Sequence, residues 1–180
     1  VAVPLKYAIV ERERRFLVDH VPDGIVRTRR IVDRYVDGTR LRLREVTEDD
    51  GEVTRKLGHK VRLTDGPEEV ASTSMYLDDA EWELLSQLPA HELRKTRYVV
   101  VRDGLTIAVD EFEDGALLAE IDDGDNPPRE IPTWLAIQRE VTSDEEWTGA
   151  RRARQVARHE YPFPRALPAQ AERVSRDRRW

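Results

Sequence analysis

Apolar and polar residues alternate with a period of two over most of the first 122 positions. That spacing puts residues i and i+2 on one face of a strand, about 6.6 Å apart. The alternation predicts strands at 7–18, 30–37, 40–46, 52–60, 70–77, 94–102, 105–112 and 116–122. Turn signals separate them at Asp37-Gly38, Asp49-Asp50-Gly51, Asp65-Gly66-Pro67, Asp103-Gly104 and Asp114-Gly115. Asp103-Gly104 is the strongest hairpin signal, because a two-residue loop needs positive φ at its centre and Asp-Gly adopts it at low cost. The period changes twice. Residues 78–88 read as a helix capped by Asp78 or Asp79, with Leu84, Leu85 and Leu88 along one side, and residues 143–159 as a second, with Ser143 and Glu146 at capping-box spacing. Short strands joined by hairpins, with few helices, predict an α+β chain that is mostly antiparallel β and whose sheet closes or curls to protect its edges.

The polar partners in this alternation are fully charged, often of one sign. Glu11 and Glu13 share a face with Arg15, Arg42 shares one with Arg44, Lys95 with Arg97, and Glu120 with Asp122. On a single strand such a face is ordinary solvent exposure; repeated on four strands of a closed barrel, it puts charge inside. Unpaired buried charge costs several kcal/mol per ion, so such a barrel must be wet and hold occupants of both signs. Carboxylates favour hard cations such as Mg²⁺ or Mn²⁺, and Arg and Lys favour phosphate oxygens. A metal–polyphosphate complex offers both.

Composition narrows the alternatives. The 180 residues suit one domain. Charged residues at 37% against 39% apolar lean towards disorder, but four Trp, five Tyr and three Phe spread along the chain argue for a fold. The absence of Cys removes disulfides, thiol catalysis and Cys-ligated zinc. No stretch free of charge exceeds eight residues, so no membrane-spanning helix is expected; residues 1–10 lack a signal-peptide pattern, and the default location is cytoplasmic. His20, His59, His91 and His159 share no metal-site spacing, and there is no P-loop, dinucleotide fingerprint or nucleophile elbow. The domain is expected over 1–160. Residues 151–180 carry nine Arg against three acids, and Pro162, Pro164 and Pro168 make 161–180 an irregular basic extension. Arg151, Arg152, Arg154 and Arg158 complement a helix C-terminus; without interleaved aromatics they argue against nucleic acid as a partner. Trp82, Trp134 and Trp147 are expected to pack between helices and barrel wall.

The segment Val10-Glu11-Arg12-Glu13-Arg14-Arg15-Phe16-Leu17-Val18 resembles the opening Glu-x-Glu-x-Lys signature of the CYTH superfamily, the triphosphate tunnel metalloenzymes, with Arg15 in the place of Lys. Leu41-Arg42-Leu43-Arg44 resembles the family's paired arginines, Thr54-Arg55-Lys56 its strand lysine and Lys95-Thr96-Arg97-Tyr98 its basic strand. Val109-Asp110-Glu111-Phe112 and Ala119-Glu120-Ile121-Asp122 resemble its last acidic strands, and Arg139-Glu140-Val141-Thr142 the approach to its final helix. The motifs are collinear over about 7–155. The resemblance implies an eight-stranded closed tunnel with a few flanking helices, acting in metal-dependent hydrolysis of inorganic triphosphate, with nucleoside triphosphates as further candidate substrates. Short bacterial inorganic triphosphatases are the most similar members. It implies Glu11, Glu13 and Arg15 as catalytic residues, Arg42, Arg44, Lys56, Lys95 and Arg97 as substrate-binding residues, and Glu11, Glu13, Asp110, Glu120 and Asp122 as ligands for Mg²⁺ or Mn²⁺. Five acids against six bases would make the tunnel nearly neutral. Lys60 and Arg62 continue the Lys56 face towards a tunnel mouth.

One strand departs from the pattern. Related triphosphatases carry acids on the fifth strand, where this chain has Ser72 and Ser74, which supply no carboxylate. A second metal, or a carboxylate orienting the attacking water, is therefore in question. This keeps a non-catalytic polyphosphate or nucleotide sensor open as an alternative, beside enzymes resembling thiamine triphosphatases or class IV adenylyl cyclases.

Overall fold

The computed structural model describes residues 6–124 and 126–160. Its strands are β1 (Ile9–Val18), β2 (Ile25–Val36), β3 (Leu41–Glu48), β4 (Val53–Arg62), β5 (Glu69–Tyr76), β6 (Ala90–Arg102), β7 (Leu105–Phe112), β8 (Leu117–Asp122) and β9 (Ile137–Glu140). Helix α1 (Asp79–Leu85) follows β5, and a 3₁₀ turn (Glu145–Trp147) precedes helix α2 (Gly149–Glu160). All pairings are antiparallel, in the order β5-β4-β3-β2-β6-β7-β8-β1-β9, and a β5–β1 pairing closes the first eight strands into a barrel. Strand β1 makes the closure by dividing its length. Ile9 to Arg12 pair with β5, and Glu13 to Leu17 pair with β8. Beyond the reach of β5, β9 pairs with Phe16 to Val18.

The eight predicted strands all form. Asp103 (φ 51) and Gly104 (φ 74) make the two-residue turn between β6 and β7 that the Asp-Gly signal requires. Strands β2 and β6 start earlier than the alternation indicated because each pairs with the other, from Ile25↔Val100 to Val36↔Ala90. Strand β9 has too few residues to display a period and was not expected. Helix α1 is capped by Asp78 through a capping box with Glu81, but it lies on the surface with none of its residues buried, and Leu84 is exposed. The second helix starts at Gly149 rather than at 143. The Ser143 box does not form; Asp144 Oδ1 instead accepts from the backbone N–H of Glu146, capping the 3₁₀ turn.

Apolar residues pack outside the barrel wall and at one end of it. Phe16, Val18, Val100, Ile107, Val109, Ala119 and Ile121 form an outward-facing layer with Leu135, against which Trp134 packs. A second cluster, Leu93, Phe112, Leu118, Val141 and Ala153, joins α2 to the barrel end with Tyr35 and Trp147 packed against it. The fully buried ring of Phe16 alone contributes about 2–3 kcal/mol through burial. Trp147 packs between α2 and the barrel as expected, Trp134 packs on the barrel wall from the β8–β9 connection with no helix involved, and Trp82 lies beneath the Arg55 guanidinium. Among the described residues no helix is long and apolar enough to cross a membrane. The basic extension expected at 161–180 lies outside the described residues.

Gly149 is fixed by contact rather than by backbone angle: a Cβ there would sit 1.9 Å from the Tyr35 hydroxyl oxygen. Gly149→Ala is expected to lower stability by about 1–3 kcal/mol, and adding Tyr35→Phe should return part of the loss in a double-mutant cycle read by urea denaturation.

Candidate functional site

Antiparallel register decides which charges meet. Glu13 faces Asp122, Arg15 faces Glu120, Arg97 faces Asp110, and Asp33 faces Arg44. Because register partners project to the same side of a sheet, the charged faces of β1, β2, β3, β6, β7 and β8 converge inside the barrel. They line a cavity of about 400 Å³ bordered at its mouth by the β2–β3 hairpin, the β4–β5 loop and the start of α2. Nine of the eleven expected site residues line it: Glu11, Glu13, Arg15, Arg42, Arg44, Lys95, Arg97, Asp110 and Glu120. Two stand apart. Lys56 shares the face of Arg44, but its ammonium lies 4.8 Å from the centre of the Tyr76 ring, outside the cavity. Asp122 is exposed at the end of β8, where its Oδ1 accepts from the Gly124 backbone N–H. Arg40, Lys60, Arg62 and Arg154 also line the cavity, which gives nine bases against four acids in place of the near-neutral tunnel expected.

Two fully buried aspartates organise the bases. Asp33 accepts from Arg44 Nε at 2.6 Å and Nη2 at 2.8 Å, with Arg42 Nε 3.5 Å from Oδ1. Asp110 accepts from Arg97 Nε at 2.6 Å and Nη2 at 2.7 Å, and also from Lys95; Arg97 Nη2 continues to Glu120 at 2.5 Å. Burial works to raise both aspartate carboxyls, but the facing guanidiniums overcome it and hold them well below the usual range. Burial pulls the Lys95 ammonium down despite Asp110, and the neighbouring Arg97 adds to that. Tyr35, half-buried beside Asp33, has its phenol pushed up to about 12 by desolvation and the neighbouring carboxylate, and stays protonated. Asp33 was not among the expected residues. Its signal, an acid in phase with Ile31 and Tyr35 on β2, becomes informative only once the register puts it opposite Arg44.

Glu11 and Glu13, one pleat apart on β1, meet different surroundings. Glu11 accepts from Lys60 Nζ at 2.5 Å; burial works to raise its carboxyl, and Lys60, with help from Ser72, brings it below the ordinary value. Glu13 makes no hydrogen bond or ion pair among the described residues. Repulsion from Glu120, reinforced by burial, pushes its carboxyl up to about 7. Arg42 Nε is buried without a hydrogen-bond partner among the described residues. Arg15, itself buried, donates to the backbone carbonyls of Trp147 and Thr142, tying β1 to the connection that leads into α2.

An unsatisfied Glu13 beside Glu120 is a hard-oxygen pair that fits Mg²⁺ or Mn²⁺. Among the described residues no three His, Cys, Asp or Glu side chains form a group that would hold an ion. Two carboxylates suffice for a metal that completes its shell with water and substrate phosphates, the usual habit of Mg²⁺. Both Asp110 oxygens are committed to Lys95 and Arg97, Glu120 gives only Oε2 to Arg97, and Asp122 sits outside the cavity, so Glu13 with Glu120 Oε1 would hold such an ion.

No family model matches the sequence, and no curated protein matches it. Solved structures do match. The inorganic triphosphatase NE1496 is 23% identical, with a TM-score of 0.51 over 79% of this chain and 93% of its own. The chain has the fold of that triphosphatase. A conserved hypothetical protein from Pyrococcus furiosus (17% identity, TM-score 0.49, 86% of this chain and 92% of that one) and the PH1012 protein from Pyrococcus horikoshii OT3 (16%, 0.42, 62% and 77%) are also similar. The eight-stranded closed barrel expected from the sequence is therefore present and has a known counterpart.

The repelling pair has a stability signature. With its folded value at about 7, above the ordinary 4.5, Glu13 binds more protons in the folded chain between those values. Its contribution to stability therefore falls as pH rises from about 4.5 to about 7 and stays low above that. In chelator, Glu13→Gln is expected to raise Tm at pH 8 by roughly 3 °C or more and to leave it unchanged at pH 4.5. Asp33→Asn has the opposite sign: it leaves Arg44 buried without its counter-ion, and the denaturant midpoint should fall by an amount equivalent to about 3 kcal/mol or more.

Proposed function

We propose that the protein is a metal-dependent triphosphatase that hydrolyses inorganic triphosphate to pyrophosphate and phosphate, and more slowly nucleoside triphosphates. The observation that carries this reading is the charge of the cavity: nine bases against four acids in about 400 Å³, with the buried Arg42 Nε making no hydrogen bond among the described residues and only an ion pair of 3.5 Å to Asp33. A tetra- or penta-anion of linear shape supplies the missing acceptors, and Asp33, behind the arginines, adds one more negative charge to the four. The shared fold with an inorganic triphosphatase supports it.

In this reading Arg42, Arg44, Lys95 and Arg97 grip the phosphate oxygens, and Asp33 and Asp110 fix the guanidinium and ammonium groups before substrate arrives. Such preorganisation is where transition-state stabilisation of phosphoryl transfer comes from. Glu13 and Glu120 hold the divalent cation, which when bound polarises phosphate oxygens and offsets the charge that develops on them. A water oxygen bonds to the terminal phosphorus as the bond from that phosphorus to the bridging oxygen breaks; pyrophosphate leaves with the bonding pair, and the water proton is released to solvent. Arg15 positions the wall against α2. Serines 72 and 74 favour a second reading, a sensor that binds triphosphate without turning it over.

Phosphate release from inorganic triphosphate and from ATP, with Mg²⁺, Mn²⁺ or chelator, tests the proposal. Metal-dependent release that is faster from triphosphate and falls by about 100-fold or more in Glu13→Gln is the expected result. Tight calorimetric binding of triphosphate with no release from a folded chain would establish the sensor instead.

A further inference from the structure

Exposed apolar residues are ordinary when scattered and informative when they gather. Here they gather at one end of the barrel. Strands β1, β2 and β4 run towards the cavity mouth, while β5 and β6 run away from it, so the starts of the first three and the ends of the last two share the opposite end. Tyr7 and Ile9 stand there at the start of β1, Ile25 and Val26 on β2, Tyr76 on β5 and Val101 on β6, with exposures from 43% to 77%. Ile9, Tyr76 and Val101 are in phase with Glu11, Ser72 and Arg97, on the interior side of the sheet. They edge the far opening of the barrel with apolar surface in contact with water. Lys6 Nζ lies 5.1 Å from the centre of the Tyr7 ring and Lys56 Nζ 4.8 Å from that of Tyr76, and a single ammonium over each ring leaves most of it exposed.

We propose that this end joins two copies of the chain about a two-fold axis, end to end, so that each barrel closes the far opening of the other and both cavity mouths face outwards. Area favours a second copy: the six residues present on the order of 700 Å² of apolar side chain, close to the roughly 800 Å² per partner that a standard stable interface buries. Tyrosines suit the centre of such a contact, because each supplies a large surface with few rotatable bonds. The surrounding charge is self-complementary. Lys6 stands before β1, and the exposed acids Asp49, Asp50 and Glu52 stand on the β3–β4 turn, three strands round the barrel by way of β5 and β4. A two-fold axis in the plane of the end face can set the lysine of each copy against the turn of the other, since in an isologous contact residue i meets j and j meets i. A net charge of -6, with those acids at the same end, opposes an anionic membrane surface. The consequence for the cavity is a single entrance, beside α2. This arrangement holds whether or not the cavity hydrolyses triphosphate.

Sedimentation velocity on the full chain, from about 1 to about 100 μM, tests it. The wild type should form a species of twice the 20.9 kDa chain mass. Val26→Glu, which brings a carboxylate from each copy into the patch, and separately Tyr7→Ser should each weaken the dimer at least about tenfold. Both positions are exposed, so the fold should survive, which a thermal melt verifies. Leu84→Glu, at a comparably exposed leucine on α1, should leave the dimer intact. Hydrogen exchange at rising concentration should show added protection at residues 6–9, 25–28, 73–76 and 99–102, and none at 36–41 or 62–69, which border the mouth. A chain that stays monomeric throughout would overturn the proposal, as would a dimer that survives both substitutions or is protected at the mouth instead. A monomer that co-sediments with phosphatidylcholine vesicles would overturn it in favour of a lipid surface.

Discussion

Guanidinium groups buried inside a β-barrel repel one another, and the fold is possible because Asp33 and Asp110 sit among them. Each aspartate is fully enclosed and takes two hydrogen bonds from one arginine in a side-on pair. Removing one partner from such a pair leaves an uncompensated buried charge, a loss of about 3–5 kcal/mol, so the two aspartates are a condition of having the basic cavity at all. Their presence has a geometric consequence. With the inner face given over to ions and water, apolar residues must find cover elsewhere, and they do so on the outer wall and under α2. The segment that contributes Trp134 and Leu135, the added strand β9 and the terminal helix all supply that cover.

The pairing is deliberately incomplete. Asp33 and Asp110 are saturated, and Glu11 has Lys60, but Glu13 is repelled by nearby Glu120 and has no hydrogen-bond partner among the described residues, and Arg42 keeps a buried Nε without one. A carboxylate and a guanidinium nitrogen in the same cavity, each short of a hydrogen bond, are what a complex of cation and anion would complete together. The two defects destabilise the empty protein, and this is the usual relation between stability and a preorganised site. It also explains why the excess of bases is tolerated: the mouth is open to water, where Arg40 and Arg154 are solvated, and the deep end, where solvation fails, is where the aspartates are.

Period-two alternation made the strands and the charged inner faces legible, because both are local properties of the chain. Register is not local, and what depended on it was hidden. Asp33 looks like any polar residue on β2 until it is set opposite Arg44. Lys60 reads as a continuation of the Lys56 face, whereas its partner lies two strands away. Lys56 and Asp122 have the right phase but stand outside the cavity, since a face tells which side of the sheet a residue is on and not how deep it lies. The terminal helix starts six residues later than the capping-box spacing indicates, because Asp144 caps a 3₁₀ turn where the Ser143 box would have opened the helix, and Gly149, its first residue, lies against Tyr35 on a strand more than a hundred residues away.

Arg15 shows how the cavity and the helix are one construction. A lysine at this position would present a single point charge, whereas the planar fork of arginine reaches two acceptors at once. Here it donates to the carbonyl oxygens of Thr142 and Trp147, and the β1 backbone at the same residue takes part as well, its N–H donating to the Thr142 hydroxyl and its carbonyl accepting from Val141. The connection from β9 to α2 is therefore strapped to the strand that carries Glu11 and Glu13. Trp147, Thr148 and Gly149 form part of the cavity wall in consequence, and Arg62 from β4 grips Glu145 in the same turn with two bonds of 2.5 and 2.6 Å. A shift of α2 would have to break contacts made by the barrel's own basic residues, so the shape of the mouth and the electrostatics of the interior change together or not at all.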